Sequence, residues 1–118
     1  MPEAKENRKH LAEMISHPLF CLRVYTFTFT REGPLADVLR HPLGYAGHVH
    51  YLTHHVRENG TLRLEEAIRK MTSMPAAHFG LWDRGLLRTG YSADVVVFDY
   101  DALDDVSTTE NPTVYAQG

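Results

Sequence analysis

Residues Leu64–Asp99 read LEEAIRKMTSMPAAHFGLWDRGLLRTGYSADVVVFD, and the character of the run changes once along its length. Leu64, Ala67, Ile68 and Met71 recur at the three- and four-residue spacing that gathers apolar side chains on one helix face. Glu65 and Glu66 stand in the first turn and Arg69 and Lys70 near the end, so each sign of charge meets the pole of the helix dipole that favours it. Pro75 suits the start of a further short helix and Gly80 its end. Beyond Gly80 the turn signals Asp83-Arg84-Gly85 and Thr89-Gly90 lead to Asp94-Val95-Val96-Val97-Phe98-Asp99, which predicts a short strand. An unbroken apolar strand implies that both of its faces are covered. Asp94, just before it, is read as a turn residue that receives backbone or arginine hydrogen bonds.

Upstream, Glu3 to Ile15 favours helix, with Leu11, Met14 and Ile15 on one face, and His17-Pro18 stops it because the residue before proline avoids helical geometry. Cys21 to Phe29 is rich in β-branched and aromatic residues and predicts a strand, closed by the turn Arg31-Glu32-Gly33-Pro34. Leu35 to Tyr45 reads as a short helical turn followed by a loop around His41-Pro42. Gly47 to Glu58 predicts a helix with Val49, Leu52 and Val56 facing a core, ended by Asn59-Gly60. The tail from Val106 to Gly118 is polar and irregular, and no internal repeat is present.

The chain has 118 residues, 43% of them hydrophobic and 23% charged, with a formal net charge of −3. That is the balance of a water-soluble globular chain. No basic stripe supports nucleic-acid binding, and no apolar stretch approaches the ~20 residues of a membrane span. The first ten residues lack the apolar centre of a signal peptide. A single cysteine, Cys21, precludes an internal disulfide and suits a reducing cytoplasm. The length allows one compact unit at most and falls short of the ~250 residues of a (β/α)₈ barrel.

The Leu64–Asp99 passage resembles the closing part of amidohydrolase-superfamily enzymes, and within them the N-acyl-D-amino-acid deacylases, or D-aminoacylases. The resemblance implies an α/β fold class: the C-terminal fragment of a (β/α)₈ metal-dependent hydrolase barrel, followed by part of a small β domain. On that reading residues 1–82 supply the terminal strand and helices of the barrel, and 83–118 a partial β-domain segment. It further implies a zinc-dependent hydrolase acting on the non-peptide C–N bond of N-acyl-D-amino acids. Such chemistry needs a metal-activated water and a carboxylate to manage the proton. The family's ligands lie on earlier strands, as a His-x-His pair, a bridging side chain and two further histidines, so this chain alone is expected to bind no zinc and to be inactive. The family's catalytic aspartate on the last strand falls at or beside Tyr25. A tyrosine, with a pKa of ~10, does not replace a carboxylate as general base near neutral pH.

The histidines point to weaker candidates. His41-Pro42-Leu43-Gly44-Tyr45 corresponds to a family loop near the substrate end of the barrel, which makes His41 and Tyr45 substrate-side candidates. Leu43 stands where relatives carry an arginine suited to a substrate carboxylate. His48-Val49-His50 matches His-x-His in letters only, since i and i+2 on a helix diverge. His50 and His54, at i and i+4 with Glu58 one turn on, have the spacing of a helical metal site, and a polar helix face is the simpler reading. Arg63 occupies the position of the family's capping Ser or Thr, so the capping box with Glu66 is lost.

Two other readings remain open: a truncated or degenerate non-catalytic gene product, and a small binding or assembly domain. The expected partners are an N-acyl amino acid in the intact enzyme, and either the missing barrel half or a second copy through an open strand edge.

Overall fold

The computed structural model describes residues 4–24, 32–34, 36 and 41–118. The chain packs as two compact units rather than the single one its length suggested. Each unit is made of two separate stretches of sequence, so small clusters of buried side chains form in two places. The first unit comprises Met1–Arg23 with His55–Val96, and the second Val24–His54 with Val97–Gly118.

In the first unit, helix α1 spans Ala4–Ser16. Ser16 Oγ donates back to the Ala12 carbonyl at 2.8 Å, and Pro18 follows the last turn. The expected apolar face is not buried there, because Leu11 and Met14 are exposed. After His17-Pro18 the predicted strand does not begin: Cys21–Val24 has no ladder hydrogen bonds, and its remaining residues lie outside the described ones.

Helix α3, Leu64–Met71, forms where its periodicity placed it, with Ala67 fully buried and Leu64, Ile68 and Met71 half-buried. No side chain caps its N-terminus at Arg63. Glu66, free of the capping box, takes two hydrogen bonds from Arg69 at 2.7 and 2.8 Å, and that guanidinium holds its carboxyl below the usual value.

Helix α4, Ser73–His78, starts two residues before Pro75. Proline is tolerated there because the first-turn N–H groups have no intrahelical acceptor. Gly80, at φ +71°, ends the helix in a Schellman motif: Leu81 N–H donates to Ala76 O at 2.8 Å and Gly80 N–H to Ala77 O at 3.3 Å.

In the second unit, helix α2 spans Leu43–His50, opened by Pro42 at φ −49°, so Tyr45 is helical rather than in the expected loop. Gly47 lets the helix approach Val24, since a Cβ there would meet the valine side chain at 3.0 Å. The predicted Gly47–Glu58 helix is instead the end of α2 and a π-helix, Tyr51–Glu58, which carries the chain from the second unit into the first. At the widening, Thr53 Oγ1 takes the Val49 carbonyl at 3.0 Å, competing with the regular ladder. Leu52 and Val56 are buried as expected, with Tyr51 and Thr53 beside them in sequence.

The strand expected at Asp94–Asp99 is a second correction. Among the described residues this run pairs with no other segment, and Val96 and Val97 are 82% and 92% exposed. A strand cannot satisfy its own N–H and C=O groups, so without a neighbour the apolar sequence produces no sheet. The irregular tail does hold one antiparallel bridge, in which Asp104 and Gln117 exchange backbone hydrogen bonds of 2.9 and 3.0 Å around buried Leu103. The regular elements among the described residues are therefore helices.

Candidate functional site

His41 sits one residue ahead of the proline that opens α2. Its Nδ1 accepts the Leu43 N–H at 3.2 Å, capping the helix start. His17-Pro18-Leu19 makes the same turn, with Leu19 N–H donating to His17 Nδ1 at 3.3 Å. One ring nitrogen of His41 is thus committed to local geometry. Tyr45, in the first turn of α2, stacks edge-on against Tyr115 with ring centroids 5.6 Å apart. Among the described residues its buried hydroxyl has no hydrogen-bond partner, a state that costs about 1–3 kcal/mol unless something else supplies an acceptor.

His50 and His54 share a face, as their spacing foretold, and their rings stack at 5.0 Å. His50 Nδ1 lies 2.8 Å from Asp105 Oδ2. The Asp105 carboxylate is nearly buried, and its other oxygen accepts both the N–H and the hydroxyl of Ser107. A carboxylate that orients an imidazole fixes which ring nitrogen carries the proton. Ser107 points its hydroxyl at Asp105 rather than at the imidazole, so the three do not form a nucleophile–base relay. Sequence reasoning missed Asp105 and Ser107. The signal available was Asp-x-Ser, the spacing of an Asx turn.

Glu58 ends the π-helix and is exposed, and Tyr25 lies outside the described residues. Among the described residues no three of His, Cys, Asp and Glu stand together as a metal-binding group. The three protein ligands of a catalytic zinc centre are thus not assembled among the described residues.

Lys70 was read only as a favourable charge near the end of α3. Among the described residues it is the largest fully buried side chain. Its ammonium donates to the carbonyls of His17 and Phe20, the latter at 2.7 Å, while Leu22 N–H donates to the Lys70 carbonyl at 3.0 Å. Burial pushes its pKa below the ordinary lysine value. One residue thereby fixes the segment that leads toward position 25.

With that geometry in place, the chain's relationships are clear. The sequence profile of the amidohydrolase family matches residues 34–117, and the chain belongs to that family. It is 39% identical to an N-acyl-D-aspartate deacylase of Alcaligenes xylosoxydans xylosoxydans over all 118 residues, which is 21% of that protein. A D-aminoacylase of the same organism is 45% identical over 87 residues, 74% of this chain and 18% of the relative. A crystal structure of D-aminoacylase superposes with a TM-score of 0.62 at 43% identity, covering 64% of this chain and 16% of the other. The chain spans about a fifth of the length of the curated relatives it matches. No helix among the described residues is long and apolar enough to cross a membrane.

Proposed function

We propose that this chain is the C-terminal part of a zinc-dependent amidohydrolase that hydrolyses the amide C–N bond of N-acyl-D-amino acids. The observation that carries the reading is 39% identity to an N-acyl-D-aspartate deacylase along the whole chain. In such an enzyme a bound metal lowers the pKa of a water and polarises the acyl carbonyl. The described residues provide no ligand set, so the metal ligands belong to the remaining part of the enzyme. The 118 residues alone are then inactive and bind no zinc, and residues 1–82 and 83–118 belong to the end of a barrel and to a β domain respectively. His41 and Tyr45 are the substrate-side residues. The partners are an N-acyl amino acid and the rest of the barrel, in a cytoplasmic enzyme.

A second reading, a non-catalytic product of the same ancestry, draws on Tyr25 in place of an acidic residue. The two are separated by replacing the matching fifth of the N-acyl-D-aspartate deacylase with this chain and assaying N-acetyl-D-aspartate, N-acetyl-D-glutamate and N-acetyl-D-leucine with zinc. Turnover that rises on Tyr25→Asp supports a deacylase segment weakened at that position. A well-folded hybrid that stays inactive on all three substrates, both with Tyr25 in place and after Tyr25→Asp, supports the non-catalytic reading.

A further inference from the structure

We propose that the outward apolar side chains of the loop after α4, namely Phe79, Leu81, Trp82, Leu86, Leu87 and Val96, form a preorganised docking surface for the remainder of an amidohydrolase polypeptide. The inference rests on the preceding reading of the chain as one part of a deacylase-like enzyme, and it adds which residues make the joint.

The loop exposes its polar and its apolar side chains alike. Its polar groups are satisfied among themselves: Ser92 donates from N–H and Oγ to Asp83 at 2.9 and 2.8 Å, Arg84 pairs with Asp94, and Arg88 lies 5.7 Å over the Tyr91 ring. Its apolar groups face outward, Trp82 being 79% and Leu87 85% exposed. These six large apolar side chains, exposed within eighteen residues, Phe79 to Val96, are more than the scattered single ones of an ordinary surface, and such a concentration marks a site of association.

The loop is also held in place. The Schellman turn at Gly80 fixes the exit from α4, and a Cβ on Gly80 would lie 3.9 Å from Trp82 Nε1. Gly85, at φ +82°, seats the turn against the backbone of Thr72 and Ser73, where a Cβ would come within 2.8 Å. A surface already ordered loses less conformational entropy on docking. Tryptophan in such a surface is the side chain that most often dominates binding energy.

The occupant follows from the relatives. The family profile runs through the whole loop, and the N-acyl-D-aspartate deacylase aligned to this chain continues for roughly four-fifths more of its own length. In such a relative the matching loop belongs to a much larger chain, whose other parts can cover it.

The test mixes the 118-residue chain with N-acyl-D-aspartate deacylase lacking its matching fifth and follows association by sedimentation. A one-to-one complex is expected, weakened at least about 100-fold by Trp82→Ser with Leu87→Ser. Unchanged affinity in the double variant would overturn the proposal. So would a self-dimer that the double variant abolishes, since the occupant would then be a second copy. If the pieces do not fold apart, the hybrid deacylase carrying this chain is used in a Cys21→Ser background. Leu87→Cys should then react with a maleimide at least tenfold more slowly than Thr109→Cys, and equal rates would overturn the proposal. Association without turnover counts against the deacylase reading alone, whereas turnover and affinity that both survive the double variant count against the docking surface alone.

Discussion

Helix α3 closes its own backbone hydrogen bonds and buries Ala67 and Lys70, whereas the run Val95–Phe98 makes no ladder bond with any described residue and leaves Val96 and Val97 in solvent. Both segments look strongly structured in sequence. They differ in where the partners of the backbone lie. A helix finds each N–H acceptor four residues back, so eight residues of the right periodicity suffice when one face is covered. A strand depends on another segment, and apolar content alone does not provide one.

The largest test of this contrast is Lys70→Met. Removing the ammonium strands the His17 and Phe20 carbonyls, and unfolding followed by denaturant titration should show a loss of about 3 kcal/mol. A loss below about 0.5 kcal/mol would mean that the packing of α3 does not depend on this lysine. Next in size is a pair of glycines with similar φ. Gly85→Ala should cost about 2–3 kcal/mol, combining left-handed strain with a backbone clash, and Gly90→Ala, with nothing within 4 Å, only about 1 kcal/mol. Equal costs would show that the turn at Gly85 is not seated on the helices.

Arg63→Ser should restore an N-cap to α3 and raise stability by about 0.5–1 kcal/mol, read as an upward shift in Tm. The pH dependence of the same helix has a defined sign. Glu66 has a folded-state pKa below its unfolded value because Arg69 favours the carboxylate, so its contribution is present above about pH 4.5 and is lost as pH falls through the lower folded value. Glu66→Gln should flatten that acid-side loss, and an unchanged pH profile would remove the pair from the account. The smallest effect belongs to the other region: Val96→Thr with Val97→Thr should leave the stability of the 118-residue chain within about 0.5 kcal/mol. A larger drop would mean that the run is packed in solution.

What could be read from the residues follows the same division. Helix α3, the stop at Gly80 and the arginine bond to Asp94 depend on neighbours within about ten positions, and each was legible. The π-helix was not, because the competition of Thr53 for a carbonyl leaves the apolar spacing of Leu52 and Val56 unchanged. Lys70 was misjudged because its acceptors lie 53 and 50 residues away, and charge on a helix end ordinarily means solvent. The His50–Asp105 contact, 55 residues apart, was hidden for the same reason, although the stacking of His50 on His54 was readable from their spacing. At His41 the letters His-Pro-Leu were visible twice, and the ring-to-backbone bond that gives both copies one geometry was not.

The central claim is that this chain carries the architecture of an amidohydrolase segment while the catalytic metal is held elsewhere in the enzyme. Equilibrium dialysis of the 118-residue chain against zinc tests it most directly. The account predicts well under one zinc per chain, unchanged by His50→Ala with His54→Ala. One zinc per chain, lost in that double variant, would contradict it.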